Sequence, residues 1–283
     1  MNWKGFLSRI FLIGVAFPVL GVFILALPYL HHLAFNLVVI FAGVMGALEM
    51  GTLFQSRKIP TSRYLAPILA VTLPIGTYLE VAGVISPVWM GIWLPAALGI
   101  ILVRAVLFQE RKKLATVLAY ASSSFFTFLY PALFLTWLVR ISSLPEPSLS
   151  ILYFMCLVFG NDMSAYFAGS LWGGSSRLNL SVSPQKSVVG FAAGLVGSLI
   201  VTGLFLLIVP GFPRFGIPLA IVLALATGVT VILGDLLESG LKRSASVKDS
   251  GIVIPGRGGM LDSVDSMVLT APLFYYFFTL VGR

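Results

Sequence analysis

The chain has 283 residues, of which 58% are hydrophobic and only 10% charged, and its formal net charge is +8. With a mean hydropathy of +1.02, this composition excludes a water-soluble globular domain. Apolar stretches of about 20 residues, the length that crosses a bilayer core, recur along the sequence. The alternation over about 10 residues that marks barrel strands is missing. The expected fold is therefore an all-α polytopic membrane protein, read as one membrane domain over 1–283, with one group of spans in 1–140 and a second, carrying the polar loops, in 149–283. Excess Lys and Arg in such a chain report topology before they report nucleic acid, which is not an expected partner. Cys156 is the single cysteine, so no internal disulfide can form.

Nine spans are predicted, at 9–29, 34–54, 65–85, 87–107, 115–138, 149–169, 188–209, 216–236 and 264–281. The first resembles a signal peptide in position but lacks a small-x-small cleavage site, so it reads as an anchor. Pro18, Pro74, Pro95, Pro131 and Pro272 lie within spans and predict kinks. With the N-terminus in the cytoplasm, fifteen of the 18 Lys and Arg fall on the cytoplasmic side. Only Arg140, Arg214 and Arg283 fall outside, an asymmetry that supports both the span count and the orientation. Both large polar loops, 170–187 and 237–263, are then cytoplasmic, where nucleotides are available. The two halves share no pattern of interrupted helices, which argues against an inverted-repeat transporter.

In the sixth span Asn161 and Asp162 stand at mid-to-late depth, with Tyr166 one turn later. A carboxylate there should be paired or should face a wet cavity, although a helix–helix hydrogen bond serving assembly is the plainer reading of such a polar pair. Next, Ser183-Pro184 predicts a turn, and Lys186-Ser187 stands at the start of the seventh span, where a lysine beside a helix N-terminus makes an anion site. At the end of the eighth span, Asp235, Glu238, Ser239 and Lys242 fall at i, i+3, i+4 and i+7 and share one helical face. Lys248-Asp249 follow, then the loop GIVIPGRGG, then Asp262 and Asp265 with Ser266 opening the ninth span.

The segment Lys242–Ser266 thus gathers four basic residues, three aspartates and four glycines. Aspartates without thiolates or nearby His suit a hard cation such as Mg²⁺. Glycine-rich backbone, here Gly258 and Gly259, can turn N–H groups toward phosphate. Lys242, Arg243, Lys248 and Arg257 can neutralise phosphate charge, although positive-inside placement alone explains any one of them. Together these are the parts of phosphoryl transfer. Lone features read more plainly. Glu49, late in the second span, is either functional or simply faces a polar neighbour, Glu80 is structural, His31-His32 is interfacial, and Ser122-Ser123-Ser124 packs helices.

The run SGLKRSASVKDSGIVIPGRGGMLDSVD closely resembles the signature of the phosphatidate cytidylyltransferase (CDP-diacylglycerol synthase) family. Gly234-Asp235, Asn161-Asp162 with Ala165-Tyr166, and Ser183-Pro184 with Lys186-Ser187 resemble that family in the same order. The motifs cover roughly 160–270, and the rest of the chain matches by topology. Arg257 stands where the family has His, Ser263 where it has Arg, and Val188-Val189-Gly190 where it often has Trp-Glu-Gly.

The resemblance implies an enzyme, a nucleotidyltransferase of phospholipid synthesis, that converts CTP and phosphatidate to CDP-diacylglycerol and pyrophosphate. Phosphatidate brings its own phosphate nucleophile, so no strong general base is required. It implies Mg²⁺, with room for a second cation, on Asp235, Asp262 and Asp265. Lys242, Arg243, Lys248 and Asp249 become catalytic, while Lys186, Ser187, Ser239, Arg257, Gly258, Gly259, Asn161 and Asp162 bind substrates. CTP, phosphatidate and membrane lipids are the expected partners, and the resemblance leaves room for a homodimer. The expected location is a bacterial inner (cytoplasmic) membrane, with the active site facing the cytoplasm. The alternatives are a CTP-dependent transferase acting on another lipid, a catalytically weakened relative kept as a scaffold, and a transporter.

Overall fold

The structure is a computed structural model that describes residues 17–107, 111–254 and 258–282. Among these residues it is built from α-helices, with no strand beyond two isolated bridges, Arg177↔Ser187 and Ile254↔Gly258. The helices are α1 (Phe17–Leu25), α2 (Tyr29–Ser56), α3 (Leu65–Val81), α4 (Trp89–Leu107), α5 (Val117–Leu129), α6 (Ala132–Ile141), α7 (Pro147–Trp172), α8 (Val188–Ile208), α9 (Gly216–Ser244) and α10 (Leu261–Val281).

The described parts of the predicted spans are largely helix, but the count of nine crossings is not confirmed. Seven helical stretches among the described residues are long and apolar enough to cross a bilayer, and α3, with 17 residues, is a shorter apolar one. The first span lies partly outside the described residues, as do Pro255, Gly256 and Arg257. The chain is an all-α polytopic membrane protein.

The fifth span is two helices rather than one. Tyr130 is extended (φ −104°, ψ 124°), as a residue before proline prefers, and Pro131 opens α6. Pro74, Pro95 and Pro272 lie inside α3, α4 and α10 without ending them. Two helices also outrun their predicted ends. α7 continues to Trp172 and α9 to Ser244. Hydropathy falls at the first charges, but the sequence through Leu236-Leu237 and Leu241 still permits helix, so α9 carries its polar face two turns beyond the apolar stretch. The second polar loop is therefore 245–260.

The chain divides into two compact units, and the division passes through α9 and α10. One unit holds α1, Leu144–Gly240 and the chain from Asp265 onward. Its α7 and α8 lie close together because small residues face each other. A Cβ on Gly160 would meet Val201, and one on Gly194 would meet the Asn161 amide. Lipid tails are as apolar as leucine, so such close backbone approach, rather than hydrophobic expulsion, drives helix association in a bilayer. Beneath it, Tyr153 donates to or accepts from Thr202 (2.9 Å) within an aromatic cluster with Phe205, Phe212 and Phe274.

The other unit holds Ala26–Ser143 and Leu241–Val264. Ala47, Ala66, Ala70, Leu73, Phe128 and Ala132 are fully buried in its core. Glu80 is structural, as expected. It takes a two-pronged ion pair from Arg140 (2.7 Å each) and a hydrogen bond from Trp89 Nε1 (2.8 Å). The guanidinium also lies 5.2 Å from the Trp137 ring centre. A buried acid thus meets a planar cation whose fork matches it.

Candidate functional site

The signature residues form two carboxylate-centred clusters, one in each unit. In the second unit, Asp262 occupies the first turn of α10. Its Oδ1 faces Lys242 Nζ at 2.5 Å. Its Oδ2 accepts from the backbone amides of Ser250 (2.8 Å) and Gly259 (2.7 Å) and lies 2.9 Å from Ser250 Oγ, whose single proton it shares with Glu49. Glu49, from α2, completes the cluster. It accepts from Met260 N–H on Oε1 (2.8 Å), and from Leu261 N–H and Ser250 Oγ on Oε2 (2.8 Å each). The free amides at the start of α10 therefore end on acids, as the positive end of a helix favours.

This changes the role of the glycine-rich loop. The amides of Ser250, Gly259, Met260 and Leu261 form the anion nest that the sequence predicts, and the anions are the protein's own Glu49 and Asp262. Gly258 N–H donates to Ile254 O (3.1 Å) rather than to open space. Its φ of +117° and the closeness of Asp262, which a Cβ would meet at 2.6 Å, require glycine. Gly259 is wedged likewise between Ser250 and Glu49. Arg243, Lys248 and Asp249 are exposed, and Arg243 reaches back to Val247 O at 3.4 Å. Arg257 lies outside the described residues.

In the first unit, Lys186 forms an ion pair with Asp235, both partly exposed. Ser187 caps α8, its Oγ accepting from Gly190 N–H at 3.1 Å. It is buried against Gly169 and Gly173 and so orients Lys186 rather than pointing outward. The Lys186 backbone is fixed by Leu178 N–H, which donates to its carbonyl (2.9 Å), and by the predicted turn, where Lys186 N–H donates to Ser183 O (3.2 Å).

Asp162 and Asp265 both lie around the Ser266 hydroxyl, at 3.2–3.3 Å and 3.2 Å respectively. Next to Asp235, Gly234 touches the Asp265 and Ser266 backbone, where a Cβ would meet Asp265 O at 2.6 Å. The glycine thus brings α9 against α10 beside three aspartates of this unit. Ser239 and Glu238 share the face of Asp235 on α9, Ser239 half-buried and Glu238 fully buried.

Asn161 sits deeper and packs helices. Only 1% exposed, it donates to Ser198 Oγ (3.1 Å) and Gly228 O (3.5 Å), joining α7 to α8 and α9. Glu49, Ser250 and Ser266 are cluster members that the sequence brings into view without assigning them a role in the site. An acid within a span was the available signal for Glu49. Ser250 stands in the Lys-Asp-Ser of the quoted run, and Ser266 carried only its adjacency to Asp265.

The donors are all hard oxygens, without thiolate or imidazole, and they fit Mg²⁺. No three His, Cys, Asp or Glu among the described residues form a group that would cage an ion unaided.

The sequence pattern of the cytidylyltransferase family matches residues 11–281. The chain belongs to that family. Relatives named phosphatidate cytidylyltransferase include one from Synechocystis sp., 46% identical over 134 residues (47% of this chain, 43% of the relative). One from Bacillus subtilis is 36% identical over 147 residues (51% and 53%), and one from Chlamydia pneumoniae 34% over 194 (65% and 62%). The chain thus spans about half the length of the curated relatives it matches.

Proposed function

We propose that this member of the family is a phosphatidate cytidylyltransferase, which makes CDP-diacylglycerol and pyrophosphate from CTP and phosphatidate. One observation carries the reading. In each unit one lysine of the signature holds one carboxylate of the signature, Lys186 with Asp235 in the first and Lys242 with Asp262 in the second, so that each cluster sets a cation suited to an anionic substrate beside an acid. The family match and the names of the relatives support it.

In the proposed reaction a phosphatidate phosphate oxygen attacks the α-phosphorus of CTP. The new P–O bond forms as the bond to the β-phosphate bridging oxygen breaks, and pyrophosphate leaves with that electron pair. Positioning and charge neutralisation dominate such a transfer. Lys186 and Lys242, when they leave their aspartates, hold substrate phosphates or the departing pyrophosphate. Arg243 and Lys248, both exposed, gather the nucleotide from solution, and Ser239 donates to a phosphate oxygen. In the first unit Asp235 and Asp265, with Asp162 beside Ser266, would hold Mg²⁺, and in the second unit Asp262 would do so through Oδ1. When bound, the ion supplies neutralisation of phosphate charge. Asp249 supports the loop. The proposed setting is a bacterial cytoplasmic membrane with loop 245–260 on the cytoplasmic side, which the distribution of Lys and Arg supports.

The test is CTP-dependent formation of CDP-diacylglycerol from phosphatidate by the purified chain in detergent, with Mg²⁺ or EDTA, beside Asp262→Asn. The expected result is product with Mg²⁺ and none with EDTA, and a loss of at least about a hundredfold in the variant, the scale for removing a preorganised charge from phosphoryl or acyl transfer. No product across several phosphatidates and divalent metals would overturn the reading.

A further inference from the structure

We infer that Glu49 is a positioning residue for this site, and that α2 is the element that clamps the signature loop at both ends. The inference rests on the cytidylyltransfer reading for its kinetic consequence but not for its geometry. Glu49 is 5% exposed, yet its carboxylate accepts three hydrogen bonds from a segment more than 200 residues away in sequence. Two of them come from the first amides of α10, and an anion there also meets the positive end of the helix. Gly251 and Gly259 are wrapped against the same carboxylate, so closely that a Cβ on Gly251 would lie 2.6 Å from Oε1.

Two turns further along α2, the opposite end of the loop is held. Ser56 Oγ donates to Ala245 O (3.0 Å) and Arg57 Nε to Ser244 O (2.6 Å), which places a cation at the carbonyl end of α9. The acid thus meets a helix start and the base a helix end, each with the favourable sign. Between them runs the loop that carries Lys248, Asp249 and Ser250. Ser250 transmits the link to Asp262. Its hydroxyl lies 2.8 Å from Glu49 Oε2 and 2.9 Å from Asp262 Oδ2, while Asp262 in turn holds Lys242. The Glu49 carboxylate therefore fixes which way Asp262 faces without needing to touch a substrate.

The experiment compares the full chain with Glu49→Gln and Glu49→Asp, in detergent, by backbone hydrogen exchange and by steady-state kinetics. In Glu49→Gln, exchange in the peptide covering 258–264 should rise about tenfold or more while α3 and α6 stay protected, because charge-assisted acceptors of those amides are weakened. The kcat should fall about ten- to a hundredfold with the KM for phosphatidate within about twofold, and Glu49→Asp, which keeps the charge, should recover part of both. Unchanged exchange in 258–264 would overturn the inference, and so would a rise spread evenly over the whole chain. If the wild-type chain makes no CDP-diacylglycerol, the cytidylyltransfer reading fails, and the exchange data alone then decide whether α2 clamps the loop.

Discussion

Asp262 and Asn161 are both buried and polar, yet substitution should separate them. Asp262→Asn leaves Lys242 facing a neutral amide, with its own side chain only 13% exposed. Breaking a buried pair from one side costs about 3–5 kcal/mol, so its loss of product formation should come with a lowered Tm. Asn161→Ala should lower Tm as well, by the loss of an interhelical hydrogen bond worth about 0.6–1.7 kcal/mol in membranes. The kcat per folded molecule should stay within about twofold, because Asn161 joins Ser198 and Gly228 and packs against Gly194. A selective loss of CTP binding in Asn161→Ala would return it to the substrate site. Sequence made Lys242, Asp262 and Asp265 legible, since they are close in the chain and ordered in a motif. It could not make Glu49 legible, because a lone acid 201 residues from Ser250 gives no local sign of the amides it will cap. It also assigned the loop amides to phosphate when their nearest anions are internal.

At the scale of the helices, hydropathy located the apolar helices among the described residues but not where they stop or break. A proline within a span predicts a kink; whether the chain also leaves helical geometry depends on the residue before it, and at Tyr130 it does. The α7–α8 contact was less legible still, because glycine spacing says nothing about which partner helix will fill it. The contact makes a specific prediction. A Cβ on Gly197 would fall against Ser164 and within 2.7 Å of Gly160 O, so Gly197→Ala overpacks the contact, at a cost of about 1–3 kcal/mol. The Tm in detergent should fall by several degrees. Adding Ser164→Gly, which removes the nearer obstacle, should restore part of it. Equal Tm values for Gly197→Ala and wild type would show that the two helices separate easily there.

For the molecule as a whole, sidedness is carried by the charges of the sequence. In the proposed orientation, fifteen of 18 Lys and Arg lie on the cytoplasmic side, Lys186, Lys242 and Lys248 among them, together with the aspartates of the two clusters. For the proposed reaction the consequence is chemical as well as topological, because CTP is a cytoplasmic solute and phosphatidate lies within the bilayer. Cys156 is the single cysteine, so Cys156→Ser provides a background free of thiols. Lys248→Cys in that background places one exposed thiol on the signature loop. A membrane-impermeant maleimide should label it in inside-out vesicles of an expressing bacterium and leave it unlabelled in intact spheroplasts until they are lysed. Labelling in intact spheroplasts would put the loop on the outer side. That outcome would invert the whole topology at once, since alternation ties every other loop to this one. It would also remove the CTP-dependent reading, because the phosphate-holding cations would then face a compartment that lacks the nucleotide.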